Sequence, residues 1–339
     1  MTDVAQACGV SQATVSLVLN DAPGTRISMR TREAVREAAR SLGYAPPRRA
    51  KASALVAMLI DDVTCSPHVA GLIEGVSAAA AETGLLLSVI PTSGDDDTAL
   101  DHLESVGARG VIYARLVTQA VAPPARLARF PTVLLNCHAE GDPYPSVVPG
   151  DLAAATTATL ALLDAGHRRV GLLGGEDRLE AGRDRLAGYR RALAMRDLPL
   201  DPDLVVKDAW TPRGGAQGLR RLLALPDPAT AVFCYCDRTA IGVYAAAAAL
   251  GLSIPRDLSV IGFDDEPYTP ELEPPLTTME LPHADMARHA LEILAGILDK
   301  EGAHRRHPRM KFECPLIARA SVAPPRAAQA GRRARRAGE

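Results

Sequence analysis

Apolar residues follow two different rhythms along this 339-residue chain. Over the first forty-odd positions they recur at helical spacing in short bursts, and the pattern predicts three helices. The first runs from a Thr2 cap to Cys8, and the second from a Ser11 cap to near Asn20. The third runs from a Ser28 cap to about Leu42. Serine and threonine suit these starts because a hydroxyl accepts from a free N–H of the first turn. Gly9 supplies a turn open to positive φ, and DAPGTR reads as a loop. Two helices meeting through a tight turn would bury Val4, Cys8, Val10, Val15 and Val18, with Ala5 at the crossing. Val35, Leu42 and Tyr44 are expected to complete that small core.

From Leu55 onward the rhythm becomes continuous apolar runs separated by helical segments, the signature of buried parallel strands. Strands are expected at Leu55–Ile60, Leu85–Ile90, Gly110–Tyr113 and Thr132–Asn136. The alternation restarts after Asp151 with strands at Val170–Gly174, Leu204–Val206, Ala231–Cys234 and Leu258–Phe263. Helices are expected at Val69–Thr83, Asp97–Val106, Leu186–Ala194 and Thr239–Leu250, with others after Asp151 and up to Leu223. Two successive β-α runs imply an α/β core of two doubly wound parallel sheets with right-handed crossovers. Ligands bind such sheets in the cleft beyond the carboxyl ends of the strands.

In the second head helix, Gln12, Ala13, Ser16, Leu17 and Asn20 fall on the face left over once the valines point inward. Helix, glycine turn, then a helix with an exposed small-polar face is the helix-turn-helix layout, whose second helix enters the major groove of DNA. Two ordinary core helices would share this spacing.

Charge sharpens the picture only slightly. The net charge is −2, yet residues 1–52 carry eight basic and four acidic side chains, and residues 326–339 carry five arginines against Glu339. A basic head on an acidic body fits a polyanion partner for the head, although a solvated charged helix would account for the arginines too. No apolar run reaches the ~18 residues of a membrane span, and the start lacks a signal-peptide profile, so a cytoplasmic protein is expected. Six scattered cysteines without a CxxC pair read as reduced thiols, Cys234 and Cys236 as buried strand residues.

DVAQACGVSQATVSLVLN followed by SMRTREAVREAARSLGYAP resembles the DNA-binding head of the lac-repressor-type (LacI/GalR) transcription regulators. AGHRRVGLLGG, RDRLAGYRRAL, the long stretch 228–265 and PPLTT at 274–278 resemble that family's two-lobed, periplasmic-binding-protein-like core. The resemblance implies base-reading positions at Gln12, Ala13 and Leu17, and phosphate contacts at Ser11, Thr14, Ser16 and Asn20. Leu17 stands where the family most often has arginine. Leucine cannot take guanine bidentately but can pack on a thymine methyl, so the operator should differ at that base pair.

The domains implied are a head at 1–47, a linker at 48–54, a core at 55–323 and a basic tail at 324–339. Arg48 and Arg49 can hold phosphates. Ser53 falls where the family's minor-groove leucine is expected, which leaves a folding hinge and a plain linker both open. Within the core, one lobe would comprise 54–149 plus about 280–308 and the other 150–279 plus 309–323, with three crossings between them.

The effector positions implied are His68, Arg185, Trp210, Cys236, Asp237 and Asp264. Arg185 would donate to vicinal oxygens or a carboxylate, Trp210 would stack on a flat apolar face, and the two aspartates would accept from hydroxyls. Cys236, Leu281 and the His68/Val69 pair depart from the family's usual residues. His283, His289, His304 and His307 read as solvated. The function implied is that of a homodimeric repressor binding a pseudo-palindromic operator, responsive to a carbohydrate-like ligand, without cofactor or catalysis. Two rivals share parts of the pattern. A sugar-binding protein would have the same lobes without the head. A hydrolase would need a nucleophile elbow, but GVSQA and GVSAA lack its final glycine.

Overall fold

The computed structural model describes residues 2–19, 27–42, 54–61, 68–92, 94–175, 179–207, 209–299 and 309–326. The chain separates into two compact units, residues 1–53 and 54–339.

The described residues of the first unit form three helices, α1 (Thr2–Cys8), α2 (Gln12–Leu19) and α3 (Met29–Ser41). Gly9 adopts φ +60° between the first two, and Val10 N–H closes the turn on Ala5 O at 3.1 Å. Ser11 Oγ accepts from Thr14 N–H at 3.0 Å and Ser28 Oγ from Thr31 N–H at 3.2 Å, so both serines cap as expected. The first helix begins at Thr2 itself rather than after it. Val4, Ala5, Val15, Val18, Val35 and Ala39 form the core. Leu42 does not join it. The residue follows the last helical turn, where its side chain has left the apolar stripe, and it is 52% exposed. Tyr44, the other expected core member, lies outside the described residues.

The second unit starts with β1 (Leu55–Ile60), α4 (His68–Thr83), β2 (Leu86–Pro91), α5 (Asp96–Ser105), β3 (Gly110–Val121), β4 (Thr132–Ala139) and β5 (Ser146–Pro149). The chain then builds α6 (Asp151–Asp164), β6 (Val170–Leu173), α7 (Glu180–Ala194), β7 (Val205–Val206), α8 (Pro212–Leu223), β8 (Ala231–Cys234), α9 (Asp237–Ala249), β9 (Ser259–Asp264) and β10 (Thr277–Glu280). Last come α10 (His283–Asp299), β11 (Met310–Phe312) and β12 (Leu316–Ile317).

Two six-stranded sheets result, ordered β11-β5-β4-β3-β1-β2 and β12-β10-β9-β8-β6-β7. Every pairing is parallel except that of β12 with β10. This is the pair of doubly wound sheets expected from the alternating apolar runs. β1, β4, β6, β8 and β9 are buried almost throughout, as strands covered on both faces must be.

Among the described residues three segments join the lobes. They are β5 to α6, β10 to α10, and β11 to β12. Met310–Phe312 pairs with β5 in the first sheet, so the third crossing falls after Phe312 rather than before residue 309. The crossings are tied together, with Gly150 N–H donating to Phe312 O at 2.8 Å and Glu280 N–H to Pro315 O at 2.8 Å. A Cβ on Gly150 would stand 2.9 Å from Phe312 O, so that approach uses the missing side chain. Among the described residues no helix is long and apolar enough to cross a membrane.

Candidate functional site

In the head, burial sorts α2 into two faces. Val15 and Val18 are completely buried, whereas Ser11, Gln12 and Leu17 are exposed, Leu17 at 39%. Ser11 and Thr14 hydroxyls also bond each other at 2.9 Å. Ala13 and Ser16 lie within the same helix. Asn20, Arg48 and Arg49 lie outside the described residues. Among the described residues Leu17 is not part of the head's core.

In the core, a cavity of about 470 Å³ opens between the lobes at the carboxyl ends of the strands. The first lobe contributes Asp61, His68, Thr118, Asn136 and His283, and the second contributes Arg185, Trp210, Tyr235, Cys236 and Asp264. Five of the six expected residues therefore line one cavity.

Arg185 enters from α7. Its Nε donates to Asp151 Oδ1 at 2.8 Å, one Nη donates to Tyr235 O, and Nη1 lies 3.9 Å from Asp264 Oδ1. The guanidinium also lies 3.6 Å from the centroid of the Phe263 ring. Burial costs this cation hydration, but the facing carboxylates more than compensate and raise its pKa further. Arg185 is thus both a strut of the lobe and part of the cavity wall.

Asp264 ends β9 with φ +121°, a backbone that L-residues rarely hold away from functional sites. Its Oδ2 lies 3.4 Å from His68 Nε2, and Glu266 Oε1 lies 3.4 Å from His68 Nδ1. Burial pulls the His68 pKa down, yet the Asp264 and Glu266 carboxylates win and raise it. Cys236 donates its thiol to Trp210 O at 3.5 Å, and burial pushes that thiol up to about 11, so it is held protonated. Trp210 is 39% exposed and lines the cavity.

Asp237 is the exception. It is fully buried beneath the cavity, its Oδ1 accepting from Thr278 Oγ1 at 2.7 Å and its Oδ2 from Glu266 N–H at 2.9 Å. Gly262 makes the room, since a Cβ there would stand 2.0 Å from Asp237 Oδ1. Asp237 fixes the loop after β9 instead of meeting a ligand. Asp265 pairs with Arg319 at 2.7 Å and is a structural acid.

Three contributors escaped the sequence reading. Asn136 sits at φ +56° where the β3–β4 register shifts. It donates to Arg115 O and Leu116 O at 3.0 and 2.9 Å and accepts from Thr118 Oγ1 at 2.8 Å. His283 is buried rather than solvated, with its ring centroid 4.9 Å from that of His68. Burial first, then the neighbouring His68, lower its pKa to about 3, so the ring is neutral. Glu266 is buried beside both. A signal for His283 did exist. Gly71 and Gly75 on α4 repeat at one-turn spacing, and a Cβ on Gly75 would strike Ala284 O at 2.2 Å, so α10 passes close to α4 there.

Comparison with known proteins places these features in context. Residues 1–47 match the family described as bacterial regulatory proteins, lacI family, and residues 159–322 match a periplasmic binding protein-like domain. The chain is 33% identical to the HTH-type transcriptional repressor CytR of Escherichia coli K12, over 95% of this chain and 96% of that protein. A LacI-family regulator from Rhizobium etli has a similar fold, with a TM-score of 0.72 and 28% identity over 79% of this chain and 99% of its own. The regulator CelR in complex with cellobiose matches with a TM-score of 0.68 and 29% identity over 94% of this chain and 98% of its own.

Proposed function

The chain belongs to the LacI family of bacterial transcriptional regulators, and on that premise we propose that it is a homodimeric repressor whose DNA affinity is set by a small polyhydroxylated ligand in the interlobe cavity. The observation that carries the DNA half is the two-faced α2, with valines sealed in the core and Gln12 and Leu17 turned outward. Gln12 and Leu17 meet base edges, and the Ser11 and Thr14 hydroxyls sit where phosphate oxygens can be held. Two heads related by a dimer axis would read two half-sites of a pseudo-palindrome. The relatives support repression. CytR is a repressor by name.

The ligand half rests on the cavity. Its 470 Å³ falls within the ~300–1,000 Å³ of small-molecule sites. Trp210 offers a flat apolar face, and Asp61, Asn136, Arg185 and Asp264 bring donors and acceptors from both lobes. A cellobiose-bound relative supports a carbohydrate-like occupant. A ligand touching both lobes favours the closed arrangement, and it alters DNA binding only through that difference in affinity.

Trp210 is the chain's single tryptophan and lies in the cavity wall, so its emission reports occupancy. The intact chain is titrated with pentoses, hexoses, disaccharides and nucleosides while Trp210 emission and binding to a selected DNA duplex are followed. One class should saturate the emission change and shift DNA affinity at the same concentration. No saturable response, or saturation without any change on DNA, would overturn the reading.

A further inference from the structure

Beside the main cavity a second recess of about 340 Å³ runs along the interlobe seam, and the two share His68, Asp264, Leu281 and His283. Its wall carries Glu74, Asp265, Glu280 and Asp285 besides Asp264 and Glu266. Of these, Asp265 is neutralised by Arg319. The Arg185 cation faces two carboxylates, Asp151 and Asp264, and so does not leave a surplus of positive charge. Arg238 also acts on Glu266, yet Glu74, Glu280 and Asp285 leave the seam rich in negative charge drawn from both lobes.

One group within it has the composition of a coordination site. His68 comes from the start of α4 in the first lobe, and Asp264 and Glu266 come from the end of β9 and the loop after it in the second. One ligand atom from each lies within 4.8 Å of the other two. The His68 ring nitrogens stand 3.4 Å from Asp264 Oδ2 and 3.4 Å from Glu266 Oε1. The two contacts use opposite ring nitrogens, Nε2 towards Asp264 and Nδ1 towards Glu266, and one ion binds only one of them. Donors ~2.1 Å from a tetrahedral ion lie roughly 3.4 Å apart, so the Nε2–Asp264 separation already suits zinc, and a turn of the Glu266 side chain brings in the third donor.

Glu266 Oε1 is buried and accepts no hydrogen bond, in a residue only 3% exposed. The His68 ring lies 3.4 Å away without hydrogen-bonding it, and a metal ion that displaces the ring proton would meet this oxygen directly. The other oxygen of Asp264 is approached by Arg185, an outer contact that orients a ligating carboxylate. The close passage of α10 past Gly71 and Gly75 places neutral His283 against His68 and holds that ring in place.

We propose that His68, Asp264 and Glu266 bind a divalent transition-metal ion, zinc by the character of the donors, and that this ion clasps the two lobes together. Imidazole among the ligands favours zinc over magnesium or calcium, which take oxygen alone. Three protein ligands leave a fourth position that opens on the shared wall of the two cavities, where water or a ligand oxygen completes the shell. Because the donors come from opposite lobes, the ion is held only when the lobes are closed.

The test uses the untagged full-length chain, stripped with a chelator and dialysed against zinc chloride, with metal counted per chain. Cobalt(II) absorption reports the donor set in parallel. The wild-type chain should take up one zinc ion and melt at a higher temperature with it. Glu266→Gln, which keeps the size of the side chain, and His68→Ala should weaken binding by more than the ~10- to 100-fold that loss of an outer-shell partner typically costs. Glu266→Gln should leave the metal-free melting temperature close to wild type, whereas His68→Ala, which breaks the buried contacts to Asp264 and Glu266, should lower it. If His68→Ala fails to fold, Glu266→Gln decides. A double variant, His304→Ala with His307→Ala, should bind zinc normally. Unchanged zinc uptake in folded Glu266→Gln, or loss of zinc in the His304/His307 variant instead, would overturn the site. The measurement involves no DNA, so its failure would leave the reading of the main cavity intact.

Discussion

Arg185→Met tests whether the cavity wall is also the brace of the second lobe. Methionine keeps much of the bulk over Phe263 but removes the only cation that, among the described residues, hydrogen-bonds Asp151, a carboxylate 1% exposed whose second oxygen already has no hydrogen bond. Both side chains are sealed from water, at 6% and 1% exposure, so solvent does little to screen the loss. Breaking a buried pair by removing one partner costs about 3–5 kcal/mol. At ~2–4 °C per kcal/mol for a domain of this size, the core should melt roughly 6–20 °C lower. The assay is thermal unfolding at neutral pH, with no ligand present, followed by circular dichroism. Adding Asp151→Asn to the same chain removes the orphaned charge and should recover more than half of the loss. A ligand-free Arg185→Met chain melting within about 2 °C of wild type would refute the brace. Arg185 would then be a ligand contact alone.

Other consequences follow from the same geometry. Leu17→Arg should leave the melting temperature unchanged, because Leu17 is exposed, while moving one base pair of the selected site towards guanine; an unmoved preference would remove Leu17 from the base-reading face. His167 is held neutral by burial, opposed in part by Ala323 O, and its pKa is lowered from 6.5. A depressed histidine contributes fully above its unfolded value and loses that contribution as the pH falls below it. The core should therefore lose stability as the pH falls through 6.5, and less steeply in His167→Gln; equal slopes would contradict this. Gly242→Ala would place a Cβ 1.8 Å from Pro212 O where α9 crosses α8, and overpacking of this kind costs about 1–3 kcal/mol or more. A chemical denaturation midpoint equal to wild type would show that the two helices can separate freely.

What the sequence disclosed follows the range of the forces involved. The strands were legible because a strand covered on both faces must be continuously apolar, and the outward face of α2 was legible because Val15 and Val18 fix which way the helix turns. Asp237 and Asp264 both end or follow buried strands and look alike along the chain. Only Gly262, on the neighbouring strand, decides that Asp237 tucks beneath the cavity while Asp264 faces it. Asn136 was unreadable for a similar reason, since its role depends on a register shift between β3 and β4. His283 joins the cavity because two glycines on a distant helix let α10 approach. Met310–Phe312 pairs with β5 across more than 160 intervening residues, and no local pattern announces that partner. The elements follow from local pattern, whereas the neighbours of Asp237, Asn136 and His283 are set by packing across the core and leave no local trace.

The most direct test of the central claim is selection of binding sites by the full-length chain from a pool of randomised DNA duplexes, at one stated salt concentration. The account predicts enrichment of a single pseudo-palindrome of two half-sites, lost with Gln12→Ala in the head and modulated by the ligand that saturates Trp210 emission. Enrichment of no sequence, or of one unaffected by Gln12→Ala and by that ligand, would contradict it.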